Sequence, residues 1–199
     1  MQRSLDWRDS PQRPPAAGDL FFGLLLDAEP ADQALARGRL IAEGMGFGGR
    51  FMHGRRLHIS LQSVPPSRWD GESAVAAACR AGARVAMAPF WVSLDGVATF
   101  NSGKEENALV LTTSSPEVRE LYGRLREALI QERLPPGRPD FNPHVTLKRG
   151  PGFVAEMPAV GLGWTAREFV LIRSFRGQGR YEIPGRWRLQ GRATPRPGS

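Results

Sequence analysis

Cysteine and histidine are both scarce in this chain. A single cysteine, Cys79, among 199 residues leaves no intramolecular disulfide framework and fits a reducing cytoplasm. Long apolar runs are also missing. The strongest, Phe21-Phe22-Gly23-Leu24-Leu25-Leu26, is of strand length and falls well short of the roughly 18 residues a membrane span needs. It follows a charged, proline-containing leader rather than a signal-peptide layout, so no membrane partner is expected. Acidic residues are outnumbered, with 20 Asp and Glu against 27 Lys and Arg and a formal charge of +7. Such an excess favours a phosphate-rich partner through steering and counterion release, although many basic proteins bind no nucleic acid. The hydrophobic fraction is 41%, ordinary for a globular protein. The length suits one well-cored domain or two small lobes sharing a core.

Of the three histidines, two fall in matching segments. These are Arg55-Arg56-Leu57-His58-Ile59-Ser60-Leu61 and Asn142-Pro143-His144-Val145-Thr146-Leu147-Lys148-Arg149. Each contains His-x-Ser/Thr-Leu with a β-branched residue at x. In a strand, residues two apart project from one face. His58 then stands beside Ser60, and His144 beside Thr146. Ile59 and Leu61, or Val145 and Leu147, face a core. Each segment buries one side and offers an imidazole and a hydroxyl on the other.

Around these segments the chain reads as alternating elements. Residues 1–18 form a loose leader without period. Leu20 to Leu26 is a central strand, and Asp27-Ala28-Glu29-Pro30 opens a helix that runs towards Gly44. The Gly44-Met45-Gly46-Phe47-Gly48-Gly49 run lacks the Lys-Ser/Thr of a phosphate-binding P-loop and reads as helix termination and a flexible connection. After the first histidine strand, Trp69 to Val85 is an alanine-rich helix, with Cys79 as a small buried residue. Phe90 to Ala98 and Leu109 to Thr112 are strands, with Asp95-Gly96 a turn or bulge signal in the first. Ser115-Pro116-Glu117 opens a helix with Val118, Leu121, Tyr122, Leu125 and Leu129 at helical spacing. The second histidine strand follows. After a proline-punctuated link, Ala166 to Arg173 and Arg180 to Leu189 make a final strand pair. Residues 19–190 are thus one domain, and 191–199 a tail rich in Pro, Gly and Arg. Two α+β halves, each contributing one histidine strand, can meet across a cleft and aim both imidazoles at one substrate.

The paired motifs resemble the 2H phosphoesterase superfamily, and within it the RNA 2′,3′-cyclic phosphodiesterases historically called 2′-5′ RNA ligases. The likeness covers most of Leu20 to Leu189. It rests on Phe21-Phe22, on Leu57-His58-Ile59-Ser60-Leu61, on Pro143-His144-Val145-Thr146-Leu147, and on the segment from Trp164 to Leu171. The resemblance implies an α+β bilobal fold, two antiparallel-sheet lobes with outer helices around a central cleft. It implies a cytoplasmic enzyme, monomeric by default, that hydrolyses an RNA or nucleotide 2′,3′-cyclic phosphate to a 2′-phosphate. His58 would be the proton donor, His144 the proton acceptor, and Ser60 and Thr146 the phosphate-binding pair. No metal or cofactor is expected. Histidine suits both proton roles because its ordinary pKa lies near 6.5, and hydroxyl donors suit charge growing on phosphate oxygens. Lys148 and Arg149 are both accessory candidates. Arg149 is weakly preferred, whereas alternation along an unbroken strand would put Lys148 beside His144 and Thr146. Gln62-Ser63-Val64-Pro65-Pro66 departs from the apolar, glycine-ending continuation usual in the family, which concerns the substrate wall more than the chemistry.

Plainer readings compete. His53 lies in a Gly- and Arg-rich loop and is expected to be exposed. A zinc site from His53, His58, His144 and Cys79 lacks the usual ligand spacing. Arg55 and Arg56 fit either RNA phosphates or a solvated strand end. Phe100, Phe175 and Trp164 can stack a base, with core packing expected for at least two of them. The function alternatives are a non-catalytic module holding nucleotides or RNA ends, and a related phosphodiesterase or 2′-5′ ligase acting on another 2′-linked or cyclic diester.

Overall fold

The near-continuous apolar stretch at the start forms β1 (Asp19–Leu25), in which Phe22 and Leu24 have no solvent exposure. A strand buried on both faces needs partners on both edges, and β1 has them in β3 (His58–Val64) and β8 (Glu168–Phe175), both antiparallel. The structure, a computed structural model, describes residues 19–65, 71–101, 106–137, 140–175 and 180–193. The expected leader 1–18, the last six residues of the expected tail, and the start of the alanine-rich helix at Trp69 lie outside the described residues.

The remaining elements are α1 (Ala28–Gly44), β2 (Arg50–Phe51), α2 (Gly71–Ala83), β4 (Phe90–Asn101), β5 (Asn107–Thr112), α3 (Pro116–Gln131), β6 (His144–Gly150), β7 (Met157–Ala166) and β9 (Arg180–Arg188). The strand order is β7-β4-β5-β6-β3-β1-β8-β9, with β2 added beside β6. All pairings are antiparallel. Where β3 meets β6 only one position pairs, Ile59 with Val145. The sheet therefore divides into two antiparallel lobes that touch at the two histidine strands. This is the α+β, two-lobed arrangement expected from the sequence.

The helices pack by their apolar stripes. In α3 the spacing of Val118, Leu121, Tyr122, Leu125, Ala128 and Leu129 turns one face inward. Burying such a side chain is worth roughly 1.5–3 kcal/mol, so the stripe rather than the cap holds the helix. Ser115 at the cap position makes no cap bond; its hydroxyl instead accepts from the Ser93 N–H at 3.0 Å. No helix among the described residues is long and apolar enough to cross a membrane.

Two expectations are corrected. The stretch read as a proline-punctuated link contains β7, paired with β4, and its Trp164 is 4% exposed. Pro158, Gly161 and Gly163 hide the strand from pattern reading. An edge strand tolerates a proline because one side of its backbone needs no partner. The glycine run after α1 is also more than a flexible connection. Gly48 donates its N–H to Pro151 O at 2.7 Å, and Gly49 has φ of +89°. A Cβ on Gly49 would lie 1.9 Å from the carbonyl oxygen of Arg149. The segment presses backbone to backbone against β6, a contact only glycine permits. The Asp95-Gly96 signal is a bulge inside a continuous β4.

Candidate active site

Both histidines open their strands. On β3 the residues Ile59 and Leu61 are buried, and on β6 so are Val145 and Leu147. Alternation then turns His58, Ser60, His144 and Thr146 to the other side, where all four line one cavity of about 580 Å³. The expected convergence of the two motifs is present.

Each strand then breaks its alternation at the same place. Along β3 the pairing with β1 slips between Ser60 and Ser63, and along β6 the pairing with β5 slips between Thr146 and Lys148. Each slip inserts one extra residue, a β-bulge. Past it the faces exchange, so Gln62 (0% exposed) and Lys148 (9%) point inward, while Ser63 and Arg149 line the cavity. Arg149 lines the cavity, and the parity argument for Lys148 fails because the strand is not unbroken. Lys148 is not in the cavity. Its ammonium donates to Phe47 O at 2.6 Å and sits 4.7 Å from the Phe51 ring centroid. Gln62 is the counterpart on β3. It donates to Tyr122 O at 3.3 Å and accepts from the Gly137 N–H at 2.8 Å. Both bulges are thereby pinned from behind by a buried polar side chain whose hydrogen bonds are met.

The imidazoles are held alike. His58 Nδ1 lies 2.7 Å from Arg56 O, and His144 Nδ1 lies 2.7 Å from Asn142 O. A carbonyl can only accept, so Nδ1 carries the hydrogen in both rings and Nε2 is left for the cavity. His58 Nε2 is 3.0 Å from Ser60 Oγ. Aromatic rings brace each imidazole: Phe21 and Tyr181 flank His58 at centroid distances of 5.2 and 6.1 Å, and Phe100 meets His144 edge-on at 4.8 Å. A second cavity, about 630 Å³, adjoins the first through Ser60, Leu61, Ser63 and His144 and extends to Phe100, Asn101 and Phe141.

The family described as the 2′-5′ RNA ligase superfamily matches residues 30–159. The chain belongs to the 2′-5′ RNA ligase superfamily. None of the curated proteins matches it. Among solved structures the fold is similar to LigT of E. coli complexed with ATP, at 22% identity, TM-score 0.65, covering 88% of this chain and 99% of that one. LigT complexed with 3′-AMP has 23% identity and TM-score 0.63, with the same coverage. TT0787 of Thermus thermophilus has 23% identity and TM-score 0.67, covering 87% and 98%.

The electrostatics of this superfamily member are set by burial. Desolvation is the largest influence on both imidazoles and lowers both below the ordinary histidine value. The carbonyl bonds from Arg56 and Asn142 oppose it. Charge on His144 and on Arg56 lowers His58 further, and Arg149 lowers His144. Both rings are thus biased towards the neutral form, and charge on His144 disfavours charge on His58. Two Nε2 atoms, hydroxyls on both strands and a guanidinium around one hollow can hold an anion and move protons on two sides of it.

The other candidates fall elsewhere. His53 is exposed, and its Nδ1 accepts from the Arg55 N–H at 3.3 Å. Cys79 is half-buried on α2, with Sγ 3.8 Å from Pro184 O. Neither lines the cavity, and no group of three or more His, Cys, Asp or Glu among the described residues is placed to hold a metal ion. Trp164 is core and the half-buried Phe100 packs against the buried Ala98, Ala108 and Val110, so core packing accounts for two of the three aromatics, while Phe175 is half-exposed. Phe175 lies under Arg173 and Arg180. Arg56 lines the cavity, and Arg55 does not. Tyr181, Ser63 and Arg173 were not anticipated. Tyr181 and Arg173 reach the site on β9 and β8, more than a hundred residues from His58, and carry no local pattern that would single them out.

Proposed function

We propose that the protein hydrolyses RNA or nucleotide 2′,3′-cyclic phosphates to 2′-phosphates without a metal ion, as a cytoplasmic monomer. The observation that carries this reading is the pair of Nε2 atoms turned into one cavity that also holds Ser60, Thr146 and Arg149.

The neutral His144 Nε2 takes a proton from water as the water oxygen bonds to phosphorus. On the opposite side the P–O3′ bond breaks, and His58 Nε2–H gives its proton to the departing O3′. The net change is one water added and one P–O bond lost, with each imidazole exchanging its protonation state. Ser60 and Thr146 donate to the non-bridging oxygens, and the Arg149 guanidinium offsets their growing charge.

The test is phosphorus NMR of the products from a panel of 2′,3′-cyclic nucleotides and short RNAs. A 2′-phosphate product is expected. His58→Ala and His144→Ala should each lower turnover by at least about 10²- to 10⁴-fold. A protein that binds these compounds but turns none over is the binding module. A 3′-phosphate product reverses the departing oxygen and overturns the assigned donor and acceptor.

A further inference from the structure

The same cavity contains an arginine that a lone cyclic phosphate leaves unused. Arg56 closes the 3₁₀ turn Gly54–Arg56, and its carbonyl is the acceptor for His58 Nδ1, so its backbone is fixed beside the reacting centre. Its guanidinium carbon lies 4.1 Å from the centroid of the Tyr181 ring. Stacking of this kind holds a guanidinium flat while leaving its N–H edge free to meet an anion. Arg56 Nε is buried with no hydrogen-bond partner among the described residues. A buried donor without an acceptor is costly, and a cavity-lining one is relieved by a ligand oxygen.

Charge points the same way. A 2′,3′-cyclic phosphate carries one negative charge, and Arg149 on β6 lines the same cavity to meet it. Arg173, the third guanidinium lining the cavity, is bonded to Glu72 at 2.8 Å. Arg56 has no carboxylate partner in any ion pair among the described residues. Of the two cavity-lining guanidiniums without a carboxylate partner among the described residues, Arg149 is assigned to the cyclic phosphate, which leaves Arg56.

We infer that Arg56, laid on Tyr181, binds a second phosphate group of the substrate, the one on the 5′ side of the nucleoside whose cyclic phosphate reacts. This rests on the proposed hydrolysis and narrows its substrate to RNA 3′ ends and 5′-phosphorylated nucleotides, over free nucleoside cyclic phosphates. Arginine suits the task because its planar fork meets phosphate oxygens in pairs.

Calorimetric titration of the intact protein with a nucleoside 2′-monophosphate and the matching 2′,5′-bisphosphate tests the inference. The bisphosphate should bind about ten- to a hundredfold tighter, the range for charge-assisted hydrogen bonds. Arg56→Gln should bring that ratio close to one. Tyr181→Leu, which leaves the guanidinium in place but unsupported, should reduce it severalfold. The bisphosphate affinity should also fall more steeply with salt than that of the monophosphate, because one more ionic contact is screened. A ratio near one in the parent protein, or a ratio that neither substitution changes, overturns the second anchor. Because the ratio is a binding measurement it is separate from turnover. Cyclic nucleotides hydrolysed with a ratio of one would refute only the anchor, and a large Arg56-dependent ratio without hydrolysis would support it while refuting the proposed reaction.

Discussion

Lys148 and Arg149 are adjacent cations of opposite orientation, and exchanging their charges one at a time tests the bulge that separates them. Arg149→Gln keeps length and polarity and removes the charge. Arg149 is exposed at the cavity wall, so its bonds to a phosphate fall at the lower end of the roughly 1.5–3 kcal/mol typical of charged hydrogen bonds. A loss of about ten- to thirtyfold in kcat/KM is expected. The substitution also removes a positive charge that lowers His144. The His144 pKa should rise towards the ordinary value, and because the proton acceptor must be neutral, the acid limb of the pH–rate profile should move to higher pH.

Lys148→Met is the contrasting case. It deletes the 2.6 Å bond to Phe47 O and the contact with the Phe51 ring, losses of about 1.5–3 and about 0.5–2 kcal/mol. Against them stands the several kcal/mol needed to desolvate a buried ammonium. The terms nearly cancel, so urea denaturation should show a change within about 2 kcal/mol, and kcat/KM should change less than about threefold. Lys148→Ala adds an emptied volume and should cost about 2–5 kcal/mol. The reasoning is refuted if Lys148→Met depresses kcat/KM and shifts the acid limb while Arg149→Gln does neither.

Both imidazoles are held below 6.5, chiefly by burial, and the active pair carries a single proton. The optimum of kcat/KM should therefore lie below about pH 6.5, while that of kcat lies higher because the bound anion favours the imidazolium. An alkaline optimum in kcat/KM, from rates across pH 4.5 to 9, would show that the pair titrates otherwise. At Gly49, alanine meets a φ of +89° and a Cβ position 1.9 Å from Arg149 O. The left-handed backbone costs roughly 1–2 kcal/mol, and relieving the overlap moves β6, so a total above about 3 kcal/mol is expected. A urea midpoint that leaves the stability within about 1 kcal/mol of the parent protein would contradict the close crossing.

The two histidine strands were readable from the residues alone. Hydrophobic Ile59, Leu61, Val145 and Leu147 demand a core, and a period of two then obliges His58, Ser60, His144 and Thr146 to face away from it. The helix face of Val118, Leu121, Leu125 and Leu129 was equally plain, because burial and helical period agree there. The strand β7 was hidden because Pro158 and two glycines erase alternation, and only its docking against β4 as an edge supplies the missing order.

What the chain's own residues determined is which side of each strand His58, Ser60, His144 and Thr146 take. Three-dimensional pairing decided everything past that point. A bulge has no compositional mark, since an extra residue is defined only against the partner strand's register. Leu147 and Lys148 both turn inward because β5 pairs as it does, and Arg149 comes to the cavity as a consequence. Tyr181 and Arg173 arrive there for the same reason: β8 pairs with β1 and β9 with β8, bringing together residues that no local pattern relates.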